Sequence, residues 1–183
     1  MAGSGTLADV VNPYAEGLMG VARANNLTSQ ISEDVKLLMS LMEESKDFYP
    51  FLANPLVDGD AKKGLLRRVV SEQVNPFTLN FLMLLIDRKR ISLVKDICKK
   101  YQDIYRKLNQ VALAEVTSAV PLSDDQQEAV RQKVIQITNA HSVELEARVD
   151  PELIGGVVIK VGSQVLDASL KGQLRRIGLS LTR

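Results

Sequence analysis

The sequence predicts an N-terminal all-α six-helix bundle, residues 1–109, followed by a small α+β domain, residues 110–183. Two observations indicate this division. Up to Leu108, apolar residues recur every three or four positions, which is the spacing that gives a helix one buried face. From Val111 onward, β-branched residues and apolar–polar alternation replace that period, as is typical of strands. The change of period predicts the boundary at Asn109.

The first helices are predicted from their apolar stripes. The first stripe starts at Leu7, so either the helix begins with Pro13 in its first turn or the proline lies inside a longer helix. A start before Pro13 is preferred because the stripe is continuous across it. A second stripe runs from Leu27 to near Ser45, and residues 48–52 are long enough for one helical turn only.

The next two helices have clear start signals. Asp58 or Asp60 can cap a helix that extends to Val70. Asn75 can cap the next helix, and Pro76 suits its first position because the N–H group that proline lacks would have no partner there. Residues 77–86 are apolar nearly all round, which predicts a helix through the middle of the bundle. After a charged corner at residues 87–90, a long helix with a basic outer face completes the domain.

The second domain is predicted to run strand, helix, two strands, short strand and helix. Residues 111–120 form the first strand, and Ser123 with Gln126 reads as a capping box for a helix that ends near Asn139. Residues 142–149 alternate strictly and predict a half-buried strand. A pair of glycines, two further short strands and a basic helix capped by Ser169 follow. The helices should cover one face of the sheet.

Composition excludes several classes of function. The formal net charge is +1, so no overall field attracts nucleic acid or an anionic membrane. Aromatic residues make up 4% of the chain, too few for a base-stacking platform. The N-terminus lacks the features of a secretory signal, and the richest apolar run is half the ~20 residues of a spanning helix, so membrane association should be indirect.

No arrangement of reactive side chains predicts catalysis or a cofactor. His141 stands without a second histidine and suits a surface loop, while Cys98 lies on an apolar helix face and suits a buried position. Gly155 and Gly156 lack the remainder of a phosphate-binding motif, so close packing or a positive φ explains them better. We therefore expect no enzyme, no metal and no cofactor, but a protein that holds other proteins.

The second domain carries a set of residues that we call the signature positions: Val143, Leu145, Val149, Asp150, Leu153, Gly155, Gly156, Val157, Ile159, Lys160 and Gly162. Three further motifs are NPYAE at residues 12–16, DRKRI at 87–91 and LAEVTSAV at 113–120. These positions and motifs closely resemble the delta subunit family of F-type ATP synthase, which includes the oligomycin-sensitivity-conferring protein, and residues 161–177 are most similar to its cyanobacterial members.

The resemblance implies a non-catalytic stator subunit that links the catalytic head to a membrane-anchored peripheral stalk. The first domain would bind the N-terminal helix of an alpha subunit in a groove beside its first and fifth helices, where the candidates are Tyr14, Leu18, Leu84 and Arg90. The second would contact the C-terminal ends of b-type stalk subunits, with Arg175 and Arg176 as candidates.

The resemblance also implies a location, and two alternative functions remain to be tested. The expected place is the cytoplasmic or stromal face of an energy-transducing membrane, either a cyanobacterial thylakoid or plasma membrane. A generic helical adaptor unrelated to ATP synthase is one alternative. A nucleic-acid binder is the other, and the basic clusters without interleaved aromatic residues argue against it.

Overall fold

A computed structural model describes residues 7–174. The chain divides into two compact units, Met1–Tyr105 and Arg106–Arg183. The predicted fold class is confirmed at the level of a helical N-terminal region followed by a small mixed sheet with a helix. Each unit has its own apolar core.

The N-terminal region is built from helices joined by short loops. Pro13 lies inside the first helix, which confirms the preferred start before it. The bounds are α1 Leu7–Ala24, α2 Thr28–Glu44, α3 Phe48–Ala53, α4 Gly59–Val69, α5 Pro76–Asp87 and α6 Val94–Asn109, with a 3₁₀ turn at Ile91–Leu93 before α6.

Two predicted helix starts are confirmed by side-chain caps. The carboxylate of Asp58 accepts a hydrogen bond from the backbone N–H of Asp60 at 3.1 Å, which fixes the start of α4. The Asn75 side chain accepts from the backbone N–H of Phe77 at 3.0 Å, and Pro76 occupies the first turn of α5. Both bonds satisfy donors that a helix leaves unpaired at its N-terminus.

The core of the first unit also contains a buried carboxylate. Asp34 on α2 is 5% exposed, and its Oδ2 accepts from the Asn75 backbone N–H at 2.8 Å and from the Thr78 hydroxyl at 2.5 Å. Charge-assisted hydrogen bonds of this kind compensate the loss of water around a buried charge. Asp34 therefore anchors the start of α5 to α2.

Helix α5 does not run through the middle of the bundle as predicted. Leu82, Leu85 and Ile86 are buried, but Phe77 is 41% and Leu84 is 43% exposed. The expectation that an all-apolar helix must be surrounded is wrong for this face, because the adjacent surface of α1 carries Gly17, which supplies no side chain to cover it. The helix is buried on one side and open on the other.

The second unit is a four-stranded mixed sheet in the order β2-β1-β3-β4. The strands β1 Val111–Ser118 and β2 Ser142–Val149 are parallel and connected by α7 Asp124–Thr138. The strands β3 Val157–Val161 and β4 Gln164–Asp167 pair antiparallel to each other, and β3 pairs antiparallel to β1. The predicted capping box of Ser123 and Gln126 is confirmed at the start of α7.

The core of this unit lies between α7 and one face of the sheet. Val130 and Val134 of α7 pack with Ala114, Val116 and Ile159 of the central strands. The alternation in β2 predicts a strand that is half-buried along its whole length, but Val149 at its end is 51% exposed. Only Val143 and Leu145 of β2 pack against the core, because β2 is an edge strand and its end lies toward the start of α7, where residues 124–127 are polar.

The two signature glycines serve close packing. Gly156 has φ +81°, and a Cβ there would lie 2.9 Å from the Cα of Ser169 and closer still to the Ala168 carbonyl oxygen. A Cβ on Gly155 would lie 2.8 Å from Cδ1 of Leu170. The packing interpretation is therefore confirmed for both glycines. Ser169 also caps the following helix as predicted, since its Oγ accepts from the Gly172 N–H at 3.0 Å.

Candidate functional site

An apolar groove between α1 and α5 is the candidate functional site. We call it the α1–α5 groove; it has a volume of about 450 Å³. It is an open surface feature of the helical unit, not an enclosed cavity. Its lining residues are Pro13, Tyr14, Gly17, Leu18, Val21, Phe77, Asn80, Phe81 and Leu84.

The floor and walls of the groove follow from the two helix sequences. Helix α1 directs Val11, Ala15 and Met19 into the core, and Leu18, 4% exposed, forms the floor beside them. The walls are apolar side chains that remain partly exposed. These are Val21 at 39%, Phe77 at 41% and Leu84 at 43%. A patch of this kind on a surface usually marks an interaction site.

Tyr14 joins the two sides of the groove. Its ring meets that of Phe81 edge-on, with centroids 6.3 Å apart and an interplanar angle of 64°. Its hydroxyl accepts a hydrogen bond from Nη1 of Arg90 at 2.8 Å, and the Arg90 guanidinium carbon lies 5.3 Å from the ring centroid. Arg90 therefore holds Tyr14 by both a hydrogen bond and a cation–π contact.

The groove can bind but offers no chemistry for catalysis. Among the lining residues, Asn80 and the Tyr14 hydroxyl are the polar groups. Within residues 7–174, no group of three or more histidine, cysteine or acidic side chains could hold a metal ion. An apolar, elongated surface between two helices suits the apolar face of an incoming amphipathic helix.

The structure brings the groove candidates together and separates them from the other predicted residues. Tyr14, Leu18 and Leu84 line the groove, and Arg90 reaches it through Tyr14. The signature residues lie in the second unit, where Lys160 forms an ion pair with Glu115 at 3.1 Å and Gly162 has φ +57° in the turn between β3 and β4. The predicted stalk candidates Arg175 and Arg176 lie outside the described residues.

The sequence analysis does not predict several of the residues that line the groove. Phe77 and Phe81 lie on α5 seven and three residues before the predicted Leu84, and Gly17 and Val21 follow Tyr14 on α1. The sequence feature that could have indicated the groove is the apolar character of α5 on all sides. A helix of that kind needs more covering surface than one small bundle supplies. The same signal by itself predicts full burial of α5.

The two reactive candidates lie where the sequence predicts. Cys98 is 4% exposed, and burial raises the pKa of its thiol from 9.0 to about 12. His141 is exposed in the loop between α7 and β2. In the described part of the chain, no helix combines the length and the hydropathy required to cross a membrane.

Comparison with known proteins identifies the family. The family described as ATP synthase delta (OSCP) subunit matches residues 10–181. ATP synthase subunit delta of Acaryochloris marina is 54% identical over 94% of this chain and 94% of its own length. The corresponding protein of Thermosynechococcus vestitus is 53% identical over 96% of this chain and 95% of its own.

The fold is also found in a solved structure. A chain in the cryo-EM structure of the Toxoplasma gondii mitochondrial ATP synthase hexamer superimposes with a TM-score of 0.74 at 24% identity, covering 94% of this chain and 97% of that one. At this identity the likeness concerns the fold, and the sequence matches identify the family. The chain therefore belongs to the ATP synthase delta (OSCP) subunit family, a stator component of F-type ATP synthase.

Proposed function

We propose that the α1–α5 groove binds the N-terminal helix of an alpha subunit and thereby attaches this stator subunit to the catalytic head. The observation that carries the proposal is the partly exposed apolar lining of the groove, with Val21, Phe77 and Leu84 all more than a third exposed. An amphipathic helix would remove these side chains from water. The same contact would require no change in the fold of the groove.

The groove would resist the torque of rotation through slow dissociation. A bound helix inserts a few apolar anchors between α1 and α5, and truncation of such a central contact costs ~1 to 3 kcal/mol in other interfaces. Most affinity differences of this kind are expressed in the dissociation rate. Tyr14, held by Arg90, gives the partner a fixed wall to pack against.

The two domains would divide the linkage between them. We assign α1–α6, as the six-helix bundle of residues 1–109, to the head, and residues 110–183 to the C-terminal ends of b-type stalk subunits. Arg175 and Arg176 remain the stalk-binding candidates from the sequence. Membrane attachment would then be indirect, through the stalk, and the cyanobacterial relatives favour a thylakoid or plasma membrane and its cytoplasmic face.

Calorimetry with a synthetic peptide that covers the alpha N-terminal helix tests the groove. We expect saturable binding to the full chain and a loss of affinity of about tenfold or more in the Tyr14→Ala, Leu84→Ala double variant, because two anchors are removed. The matched control is Leu108→Ala, which truncates a leucine that is 39% exposed and outside the groove. Unchanged affinity in the double variant, with its far-UV circular dichroism intact, would contradict the groove assignment.

Reconstitution tests the wider role. The purified chain, added to stator-depleted catalytic heads and stalk-containing membranes, should restore proton pumping driven by ATP hydrolysis. The double groove variant should restore less of it than Leu108→Ala does. Restoration that is equal for both variants would show that the linkage uses a different surface.

A further inference from the structure

A second cleft in the helical unit lies apart from the α1–α5 groove. It is formed by the loop between α3 and α4, the first turn of α4 and the end of α5, and its volume is about 730 Å³. We call it the α4 cleft. The residues used below are Leu56, Asp58, Lys62, Lys63, Ile86 and Asp87, all of which line it.

Lys62 is the unusual residue of the α4 cleft. Its side chain lies on the cleft wall and the residue is 7% exposed, yet within the described residues its ammonium has no hydrogen-bond or ion-pair partner. Within the described residues, every fully buried side-chain nitrogen or oxygen has a hydrogen-bond partner. Since the Lys62 ammonium has none, it must be partly accessible to water. Lysine is rarely buried to this extent without a partner, so the arrangement leaves an unused cation facing the cleft.

The neighbouring charges are largely committed to other contacts. Lys63 forms an ion pair with Asp87 at 2.5 Å, so each neutralises the other. The Asp58 carboxylate accepts the backbone N–H of Asp60 as the N-cap of α4. Asp60 in the first turn of α4 also lines the cleft, and its carboxylate and that of Asp58 already complement the partial positive charge of the helix N-terminus. Lys62 is therefore the buried cation of the cleft with which an incoming anionic group would pair.

The rim of the cleft supplies apolar surface next to this cation. Leu56 is 92% exposed, and Pro55 beside it is exposed as well. Ile86, 6% exposed, adds a buried apolar side chain to the lining. A leucine this exposed, in the same cleft as an unpaired lysine, suits a ligand that carries both an aliphatic group and a negative charge.

We propose that the α4 cleft binds a peptide segment of a protein partner in which a carboxylate side chain stands next to an aliphatic residue. The carboxylate pairs with the Lys62 ammonium, and the aliphatic side chain packs on Leu56. A peptide is favoured over a small anion because the volume and the apolar rim both exceed what an isolated carboxylate or phosphate would contact. This docking site is separate from the proposed alpha-helix groove and does not depend on it.

A titration with short peptides tests the proposal on the full chain. The probe is the acetylated and amidated tripeptide Leu-Glu-Leu, and its neutral counterpart is Leu-Gln-Leu. In ¹⁵N-resolved NMR spectra, the glutamate peptide should produce saturable shifts in the amides of residues 56–63, and the glutamine peptide should bind about tenfold more weakly, because a charge-assisted contact is lost. Equal binding of the two peptides would overturn the proposal.

Two variants test the contributions of the Lys62 ammonium and of the apolar rim to binding separately. Lys62→Met keeps the buried stem and removes the charge, so it should bring the glutamate peptide down to the affinity of the glutamine peptide. Lys99→Met, at an exposed lysine outside the cleft, is the matched control and should bind normally. Leu56→Ala changes a residue with few contacts to lose and should weaken both peptides alike. Normal binding by Lys62→Met or by Leu56→Ala, or no saturable shift with the parent chain, would refute the site.

Discussion

Gly156 allows the packing of the C-terminal unit to be measured with a single methyl group. In Gly156→Ala the new Cβ meets backbone atoms of Ala168 and Ser169, which cannot move aside as a flexible side chain would. Overpacking of this kind costs about 1–3 kcal/mol. The positive φ of +81° adds about 1–2 kcal/mol for a residue with a Cβ. We expect the unit to lose about 2–5 kcal/mol in its free energy of unfolding.

Gly162 is the matched control because it separates the two costs. It has φ +57°, and a Cβ there would meet no atom within 4 Å. Gly162→Ala should therefore lose only the conformational part, about 1–2 kcal/mol. The difference between the two variants measures the packing of Gly156 against the Ala168–Ser169 segment.

The assay must distinguish the two units. All the tyrosine and phenylalanine residues fall between Tyr14 and Tyr105, and the chain has no tryptophan, so tyrosine fluorescence follows the first unit alone. Hydrogen exchange detected by mass spectrometry can follow residues 157–168 directly. A loss of 2 kcal/mol or more should accelerate exchange of the protected amides there by about thirty-fold or more, with the fluorescence transition unchanged. Equal acceleration in both glycine variants would refute the packing argument.

Two further predictions concern the first unit. Asp34→Ala should lower the stability of this unit by about 3 kcal/mol, because the Asn75 N–H and the Thr78 hydroxyl both lose a charged acceptor. Urea unfolding followed by tyrosine fluorescence measures this loss. An effect no larger than that of the exposed control Glu33→Ala would contradict the prediction. Burial raises the pKa of Cys98 from 9.0 to about 12, and burial followed by the charges of Tyr105 and Asp34 raises that of Tyr101 from 10.0 to about 12. Above pH 9 the unfolded chain therefore loses these protons before the folded one, so stability is full below pH 9 and falls as the pH rises toward 12. Urea unfolding followed by circular dichroism should show a shallower alkaline fall in Cys98→Ala, and an identical slope would count against the assignment.

Features that depend on near neighbours in the chain could be predicted from the sequence. Asn75 caps α5 and Ser123 caps α7 through bonds to backbone groups two and three residues away. The position of Cys98 on an apolar helix face likewise follows from the helical period. The helical region and the small sheet were predictable for the same reason, because period and capping are local properties.

The groove could be predicted only in part, because its shape depends on contacts between distant segments. Tyr14 and Arg90 are 76 residues apart, and their hydrogen bond is not encoded in any local pattern. The exposure of Phe77 and Leu84 depends on which side chains of α1 reach them. The exposed end of β2 has the same origin, since it depends on which residues of α7 face the strand. The family resemblance supplied the candidates Tyr14, Leu18 and Leu84, but the apolar period alone predicted burial of α5.

Gly17 and Gly20 lower the stability of α1 and keep part of its surface accessible. Both lie on the solvent side of the helix, and a Cβ at either position would meet no atom within 4 Å, so nothing in the fold requires the absence of a side chain there. Each glycine makes the helix less stable than alanine would, by about 0.8–1.0 kcal/mol. The bare backbone instead allows another main chain to approach α1 more closely than any side chain would permit. The sequence of α1 thus keeps part of its surface vacant in the isolated subunit, at the expense of its own stability.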